Sequence, residues 1–301
     1  MENSDITRAG FIAVVGAPNV GKSTFINRAV GTKVSIVSPK VQTTRTRILG
    51  ISSIAESQII LIDTPGIFLP RRRLDRAMVS AAWTGAANAD LILLLVDAAR
   101  GIDKNTGAIL KKLVPTKRRI FAAINKIDLI KKESLLGLTS ELNAFDIIDE
   151  IFMISAKTGD GVRDLLESLA NVLPTGPWLF PNHQVSDMPE RLLAAEITRE
   201  KLYIHLRQEL PYVTTVETES WDENPSGTVK INQIIYVQRT TQRTIVIGKN
   251  GQQIKAIGAA ARKELVSILG CDVQLFLFVK VREKWVDDPE RYRDWNLDFN
   301  A

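Results

Sequence analysis

The sequence has little of what builds covalent or metal-held scaffolds. It contains one cysteine, Cys271, so no internal disulfide can form, and its two histidines, His183 and His205, have no ligand cluster beside them. Such a composition is typical of a reducing compartment. The flanks of Cys271 indicate the start of a strand, where we expect the thiol to pack in a core.

Long apolar runs are missing as well. One of the longest, Leu91 to Ala99, contains Asp97 and is too short to span a bilayer. The opening MENSDITRAG has neither an apolar signal core nor an arginine-rich amphipathic pattern. These absences favour a cytoplasmic location.

The remaining composition is that of a soluble globular protein, with 45% hydrophobic and 24% charged residues among 301, enough for two domains. The net charge is +5, yet the window from Asn224 to Lys263 holds seven Lys or Arg residues and no acidic one. A surface of this kind favours an anionic partner. Chance clustering of solvated charges is the alternative.

A glycine-rich stretch, GAPNVGKS, follows an apolar run and opens a predicted helix. It fits the G-x-x-x-x-G-K-[ST] pattern, in which glycines let successive backbone N–H groups face one phosphate chain. Lys22 adds charge for the β- and γ-phosphates, and the Ser23 hydroxyl is a Mg²⁺ ligand. A plain strand-to-helix turn is the alternative. The predicted phosphate site consists of Gly16, Ala17, Pro18, Asn19, Val20, Gly21, Lys22, Ser23 and Thr24.

Apolar runs and amphipathic stretches alternate through the first half of the chain. This alternation predicts an α/β fold, with a mostly parallel sheet and helices on both faces. Ligands of such sheets lie beyond the carboxyl ends of the strands. The predicted strands are 11–15, 47–54, 58–62, 91–96, 120–124 and 151–154, and the predicted helices are 22–29, 72–87, 103–113, 133–145 and 162–172.

A DTPG segment, formed by Asp63, Thr64, Pro65 and Gly66, follows one of these strands. The carboxylate of Asp63 is placed to hold Mg²⁺ through a water, and the Gly66 N–H can approach a γ-phosphate. An Asp-x-Pro-Gly turn without a ligand is the alternative.

The polar and basic segment SPKVQTTRTR, residues 38–47, has no period and is predicted to be a mobile loop. Thr43 and Thr44 are the candidates to cap Mg²⁺ and the γ-phosphate. We favour Thr44, although the spacing leaves both open, and the pair can also simply start the next strand. A loop held by the γ-phosphate and released on hydrolysis is a switch.

Two motifs after later strands point to guanine. In NKID, the Asp128 carboxylate can accept from N1–H and the 2-amino group, which adenine lacks. We expect Asn125 to brace the loop and the Lys126 stem to cover the base. A helix-capping loop is the alternative. In SAK, formed by Ser155, Ala156 and Lys157, the N–H of Ala156 is the candidate donor to guanine O6.

The second half begins after a Pro- and Gly-containing linker. It predicts a helix over 189–210, strands over 213–221 and 229–239, a helix after GKNG and a strand over 271–282. In GKNG, Gly248 and Gly251 allow close approach and Lys249 adds charge, so the loop can grip a nucleic-acid backbone. A tight helix–helix turn is the alternative. The predicted RNA-binding residues are Ile247, Gly248, Lys249, Asn250, Gly251 and Lys255.

The first 173 residues resemble GTPases of the translation-factor-like class, with the P-loop, DTPG, NKID and SAK in order. Ile67 stands where Ras-like enzymes place a water-orienting Gln, and the resemblance implies slow intrinsic hydrolysis. Asn19 is similar to the residue that, in such proteins, helps hold a potassium ion near the phosphates. The helix–strand–strand–helix–helix–strand order of the second half resembles an α+β prokaryotic-type KH domain.

Nearly the whole chain resembles the Era family of GTPases. The residues that carry this resemblance are QTTR in the switch, Glu209-Leu210-Pro211-Tyr212, VIGKNGQQIK and Lys284-Trp285; Thr46 departs from the His usual after QTTR. The resemblance implies a GTP-binding domain over 1–173, a linker over 174–188 and a KH domain over 189–301. It also implies catalytic roles for Lys22, Thr44 and Gly66, and Mg²⁺ held by Ser23, Thr44 and Asp63.

By the same resemblance, GTP is hydrolysed to GDP, and the KH domain binds the 3′ end of small-subunit ribosomal RNA to assist assembly of the small subunit. The implied protein is a monomer that binds no DNA, with peripheral contact with the inner face of the membrane left open. The alternatives are a signalling or scaffold GTPase whose second domain binds protein, a nucleotide-binding module without hydrolysis, and an ATPase.

Overall fold

The computed structural model describes residues 7–40, 43–45, 47–68, 70, 72–283, 285–295 and 297–301. Gln42, Thr46 and Lys284, which contribute to the family resemblance, lie outside the described residues. Contacts divide the chain into two compact units. The first comprises Met1–Ser35, Thr44–Asp187 and Arg293–Ala301, and the second comprises Ile36–Thr43 and Met188–Tyr292.

The first unit is built on a six-stranded sheet in the order β2-β3-β1-β4-β5-β6. Every neighbouring pair is parallel except β2 and β3. The strands are β1 Arg8–Val15, β2 Ile48–Ile54, β3 Ser57–Asp63, β4 Leu91–Asp97, β5 Arg119–Asn125 and β6 Glu150–Ile154. The helices are α1 Lys22–Val30, α2 Arg73–Asn88, α3 Lys104–Leu113, α4 Glu133–Asn143 and α5 Val162–Val172.

Strands β3 and β4 are buried at every position, as expected where both faces of a sheet are covered. The predicted mostly parallel α/β fold is therefore confirmed. The strand register aligns the ends of neighbouring strands, since Val14 pairs with Asp63 and Asp97 pairs with Asn125. The carboxyl ends thus bring the predicted motifs to one edge of the sheet.

The predicted linker packs along the first sheet rather than leaving it. Ala9 N–H donates to Pro174 O at 3.2 Å and Ile51 N–H to Val185 O at 2.9 Å, and Gly50 forms an antiparallel bridge with Ser186. The last two contacts lie on the outer edge of β2, whose backbone groups would otherwise be open to another chain. The polar sequence of 174–187 gives no sign of this docking, because it rests on backbone bonds and on single side-chain bonds, such as Leu49 N–H to Asp187 Oδ1 at 2.9 Å, that follow no period.

The second unit has a three-stranded sheet in the order β7-β8-β9, with β7 antiparallel and β9 parallel to β8. Its elements are α6 Glu190–His205, β7 Thr215–Glu223, β8 Val229–Val237, α7 Thr240–Ile247, α8 Gln252–Leu269 and β9 Val273–Val281, followed by α9 Pro289–Asp294. This order confirms the predicted α+β KH arrangement. Two apolar clusters of buried residues lie between the helices and the sheet.

The predicted end of the first helix in this unit is wrong. The first helix ends at His205 rather than Leu210, because Leu206 is extended and Gln208 has a positive φ of 54°. The apolar spacing continues to Leu206, so periodicity alone carries the prediction too far. Cys271 lies two residues before β9 and is half-buried against an apolar cluster, which agrees with the predicted packing role.

The described part of the predicted switch loop, residues 38–40 and 43–45, contains no helix or strand. Its beginning packs on α6 within the second unit. Ile36 is buried against Ala194 and Ile197, and Lys40 Nζ donates to Leu206 O at 2.6 Å. The lysine thereby satisfies a carbonyl at the end of the helix, where such groups have no intrahelical partner.

Candidate functional sites

The P-loop, residues 16–23, needs glycine at two positions. A Cβ on Gly16 would lie 2.6 Å from Leu95 O. Gly21 has a left-handed φ of 99°, and a Cβ there would overlap the amide of Asn125. The loop then leads directly into the N-terminus of α1, where N–H groups face outward for an anion.

Lys22 is buried within this loop, with 7% of its surface exposed. Its Nζ donates to Gly16 O and Ala17 O, both at 3.2 Å. Burial lowers the pKa of Lys22 to about 8, and the charge of Asp63 opposes this shift. The ammonium group is thus held at the loop by carbonyls that a phosphate chain can replace.

Asp63 gathers hydroxyl groups at the end of β3. Its Oδ2 accepts from Ser35 at 2.6 Å, Ser23 at 2.9 Å and Thr44 at 3.2 Å. Within the described residues, its buried Oδ1 has no hydrogen-bond partner. Burial raises the pKa of this carboxyl, and the hydroxyl donors and Lys22 work against the rise.

This arrangement fits a hard cation. Ser23 Oγ and Thr44 Oγ1 lie 3.1 Å apart, and both contact Asp63 Oδ2, while Oδ1 has no partner within the described residues. The cluster thus offers the oxygen ligands that Mg²⁺ prefers. Thr43 Oγ1 donates to Lys40 O at 2.9 Å within the second unit. Among the described residues, no three or more His, Cys, Asp or Glu side chains are placed so that they could hold a metal ion together, so phosphate oxygens and waters would complete the shell.

The DTPG segment lies against the P-loop. Thr64 Oγ1 donates to Val14 O at 2.7 Å, and Ile67 N–H donates to Gly16 O at 3.2 Å. A Cβ on Gly66 would lie 3.1 Å from Pro18 Cα, so the backbone at this position can approach the loop closely. Ile67 is buried, with 7% exposed, and offers no polar side-chain group.

The base-recognition motifs are tied to the P-loop by side chains. Asn125 Nδ2 donates to Val20 O at 2.8 Å, and its Oδ1 accepts from Ala156 N–H at 2.9 Å. Asn125 therefore joins the P-loop to the SAK loop. The Ala156 N–H, the candidate donor to guanine O6, is engaged with Asn125 in this structure.

Lys126 and Asp128 also have defined partners. Lys126 Nζ donates to Asn19 O and to Asp97 Oδ2, both at 2.6 Å. Asp128 Oδ1 accepts from Ser155 Oγ at 2.7 Å, which orients its carboxylate. The structure therefore brings the NKID residues into contact with both the P-loop and the SAK residues.

Three residues of this site escape the sequence prediction. Asp97 pairs with Lys126, and Ser35 donates to Asp63. Arg28 on α1 donates to Ala156 O at 3.3 Å and Lys157 O at 2.5 Å, and so holds the SAK loop. Only Asp97 carries a readable signal, since it ends an apolar strand as Asp63 does.

The GKNG loop joins α7 to α8 in the second unit. Gly248 and Gly251 have left-handed φ values of 73° and 74°, and Asn250 between them has 51°. Lys249, Asn250 and Lys255 are exposed, whereas Ile247 is partly buried. Both glycines sit where L-residues are strained, and the loop presents its lysine next to the N-terminus of α8.

No helix in the described part of the chain is long and apolar enough to cross a membrane.

Family models match both halves of the chain. The model described as 50S ribosome-binding GTPase matches residues 11–126, and the model described as KH domain matches residues 209–286. Among curated relatives, GTPase Era of Afipia carboxidovorans is 57% identical, covering 99% of this chain and 97% of the relative. GTPase Era of Mesorhizobium japonicum is 55% identical, covering 97% and 94%.

Solved structures match the whole fold. Era of Aquifex aeolicus bound to GDP·AlF4⁻ superposes with a TM-score of 0.91 and 40% identity, covering 95% of this chain and 98% of that one. A structure of Era in complex with MgGDPNP and nucleotides 1506–1542 of 16S ribosomal RNA matches with the same values.

Proposed function

The chain belongs to the Era family of GTPases, and on that premise we propose that it is a GTP-hydrolysing switch that binds the 3′ end of small-subunit ribosomal RNA and assists small-subunit assembly. One observation carries the proposal. A single chain holds a P-loop joined by side-chain bonds to DTPG, NKID and SAK, and, in a second unit, a GKNG loop between two helices. The match to Era in complex with 16S ribosomal RNA supports the RNA ligand.

We propose the predicted domain boundaries along with this function. Residues 1–173 bind GTP, residues 174–188 link the domains, and residues 189–301 form the KH domain and its tail. The protein acts as a cytoplasmic monomer on the small subunit, takes RNA rather than DNA, and contacts the inner face of the membrane only peripherally. Analytical ultracentrifugation tests the monomeric state, and cell fractionation tests the cytoplasmic location and the membrane contact.

Nucleotide binding follows from the groups already in place. Lys22 exchanges the carbonyls of Gly16 and Ala17 for the β- and γ-phosphates, and the N-terminus of α1 adds N–H donors. Asp128, oriented by Ser155, accepts from guanine N1–H and the 2-amino group. The remaining proposed contacts come from residues 16–24 and from Thr64, Pro65, Asn125, Lys126, Ala156 and Lys157.

Hydrolysis rests on positioning and charge. Ser23, Thr44 and Asp63 hold Mg²⁺, which when bound neutralises charge on the β- and γ-phosphate oxygens. Thr44 and the Gly66 N–H contact the γ-phosphate, so the segments that carry them respond to its loss. Ile67 is buried and apolar and orients no water, which agrees with slow intrinsic hydrolysis.

Asn19 is proposed as a ligand for potassium beside the phosphates, where the ion would add positive charge. The expected result is faster hydrolysis in potassium than in sodium at equal ionic strength. The Asn19→Ala variant should lose this difference. An equal rate in both salts with the natural sequence would remove the potassium proposal and leave the GTPase proposal intact.

The RNA proposal is tested by binding of a fluorescent single strand to the full chain at several salt concentrations. Phosphate contacts predict an affinity that falls steeply with salt. Gly251→Asp should abolish binding by placing a carboxylate in the GKNG loop. Gly227→Asp is the matched control, because Gly227 also has a positive φ, 79°, and open space around it, but lies in the β7–β8 turn.

Intact GTP hydrolysis together with no RNA binding by the unmodified chain would favour the alternative, a GTPase whose second domain binds protein. Equal loss in both glycine variants would indicate damage to the domain instead of loss of a phosphate contact. No phosphate release, even at saturating GTP, would favour a nucleotide-binding module without hydrolysis.

A further inference from the structure

A buried serine outside every GTPase motif contacts the proposed magnesium site. Ser35 is 1% exposed, and its Oγ donates to Asp63 Oδ2 at 2.6 Å. This is the shortest of the three hydroxyl bonds to that oxygen, ahead of Ser23 at 2.9 Å and Thr44 at 3.2 Å. Short bonds to an ionised acceptor are the strong ones.

Ser35 is itself held in place by the P-loop helix. The Asn27 side chain of α1 accepts from Val34 N–H and Ser35 N–H, both at 2.9 Å, and donates to Ser35 O at 2.7 Å. Three bonds therefore fix the backbone from which the hydroxyl projects. The path from α1 through Asn27 and Ser35 to Asp63 contains no mobile side chain of the switch.

The other two donors to Asp63 have a second task. Ser23 and Thr44 are proposed to turn a hydroxyl lone pair toward the ion, so their hydrogen bonds to Asp63 change when Mg²⁺ binds. Thr44 also belongs to the segment that responds to the γ-phosphate. Ser35 has neither task, so its bond to Asp63 can persist whether the ion is bound or released.

We propose that Ser35 is a positioning residue for magnesium. It holds the Asp63 carboxylate through Oδ2, and leaves Oδ1, which has no hydrogen-bond partner within the described residues, to accept from the hydration shell of the ion. Groups that orient metal-binding side chains in this way typically change metal affinity by 10- to 100-fold when removed. The inference rests on the magnesium site of the proposed function.

The test measures release of a fluorescent GDP from the full chain as Mg²⁺ is titrated. Ser35→Ala should raise the Mg²⁺ concentration needed for half-maximal slowing of release by about tenfold. Release in excess EDTA should be unchanged, because no ion is then present to be positioned. A serine that only supports the fold would speed release equally in both conditions.

Two further variants sharpen the result. Ser52 on β2 is another buried serine, and its hydroxyl donates to Ala29 O on α1 at 2.8 Å. Ser52→Ala removes that hydroxyl and should leave the Mg²⁺ titration unchanged. Ser35→Cys keeps the shape but provides only a weak donor, so it should behave as Ser35→Ala does. If cysteine restores the normal titration, packing and not the hydrogen bond is responsible.

The outcomes distinguish an error in the proposed magnesium site from an error in the role of Ser35. If release from the unmodified chain does not depend on Mg²⁺, the proposed magnesium site itself is wrong. If the unmodified chain depends on Mg²⁺ and Ser35→Ala has the same midpoint, only the role of Ser35 is overturned. Thermal unfolding of each variant in EDTA checks that it is folded.

Discussion

The carboxylate of Asp128 has one oxygen bonded to Ser155 Oγ at 2.7 Å, which fixes the plane it presents to a base. Replacing it with an amide, Asp128→Asn, sets the amide NH2, a donor, against the 2-amino group of guanine. We expect affinity for GTP to fall by roughly a hundredfold or more, with a gain for xanthine nucleotides, which carry an oxygen in place of the 2-amino group. Competition binding against fluorescent GDP measures both.

ATP serves as the control ligand for Asp128→Asn, since adenine offers neither donor to the carboxylate. Its weak binding should be the same before and after the substitution. Unchanged GTP affinity in Asp128→Asn would assign base recognition to another residue.

Lys22 makes nucleotide binding depend on pH. Burial lowers the pKa of its ammonium to about 8 in the nucleotide-free protein, below the ordinary 10.5. Phosphates close to the ammonium favour its charged form, so binding raises that pKa and takes up protons. Affinity for GDP should therefore be constant below about pH 7 and fall as pH rises through 8.

Calorimetry in two buffers of different ionisation enthalpy measures this uptake directly. About half a proton per GDP is expected near pH 8, where the free lysine is half-charged. Lys22→Met should show weak binding without this component. Equal apparent enthalpies in both buffers would contradict the prediction.

The sign for folding is opposite to that for binding. Between pH 8 and 10.5 the unfolded chain keeps the Lys22 proton longer than the folded one, so the burial cost of Lys22 is fully present below pH 8 and fades as pH rises above it. The nucleotide offsets the same cost by supplying negative charge. Both effects follow from one buried ammonium.

At the scale of single residues, the motifs predict candidates for ligand contact but miss some of the residues that hold those candidates in place. Asn125 braces the P-loop as expected, since its spacing after a strand defines its place. Lys126 bonds Asn19 O and Asp97, a partner 29 positions away. Ser35 reaches Asp63 over 28 positions and belongs to no motif, so no local pattern could reveal it.

Among the elements, the α7–α8 corner depends on two glycines that differ in surroundings. A Cβ on Gly248 would lie 2.5 Å from Gln253 Cβ, while a Cβ on Gly251 meets nothing within 4 Å. Gly251 is in the left-handed α region, so alanine there costs about 1 kcal/mol. Gly248 has φ 73° and ψ 174°, a region that almost only glycine occupies, so alanine there costs about 1–3 kcal/mol. Gly248→Ala adds a steric collision with the first turn of α8.

We therefore expect Gly248→Ala to destabilise α8 by about 2 kcal/mol or more and Gly251→Ala by about 1 kcal/mol. Hydrogen exchange of α8 amides in the full chain measures local opening free energies. Equal losses in the two variants would mean that the corner relaxes around the added methyl group.

Alternation of apolar and amphipathic stretches predicts each strand of the first sheet, because buried parallel strands are continuous apolar runs. The end of α6 escapes prediction, since Leu206 continues the helical spacing although its backbone is extended. The docking of 174–187 on β2 is also not predicted, because it consists of backbone bonds and one isolated carboxylate contact, Leu49 N–H to Asp187 Oδ1. The apolar and polar pattern of a sequence reports on side chains, so it does not predict contacts that main-chain atoms make.

For the whole molecule, a switch coupled to RNA binding obeys a reciprocity. If a non-hydrolysable GTP analogue changes RNA affinity by some factor relative to GDP, RNA must change the preference for the analogue over GDP by the same factor. Couplings of this kind are typically about 5- to 150-fold. Fluorescence titrations in both orders on the full chain measure the two factors.

Lys22→Ala, which loses the phosphate contact, should bind RNA with an affinity that no nucleotide alters. A factor of one in both orders with the unmodified chain would mean that GTP and RNA bind without coupling. Ligand-specific contacts are required for any shift, so the γ-phosphate must be what distinguishes the two states.

The sequence does not predict two parts of the division into units. The second unit includes residues 36–43, and the first includes 293–301. Both stretches are short and aperiodic, so nothing local indicates which core they join. Ile36 reads as one more apolar residue after a helix, but it is buried with Ala194 and Ile197, more than 150 positions later.

The stretch 174–187 along β2 has a consequence for synthesis. The N–H of Ile51 receives its partner, Val185 O, only after more than 130 further residues have been added to the growing chain. Until then the nascent sheet has an open side, the kind of surface on which neighbouring chains on one messenger can pair. The edge of the first sheet is therefore covered only late in synthesis. A chain released at residue 173 would keep that edge exposed for its lifetime.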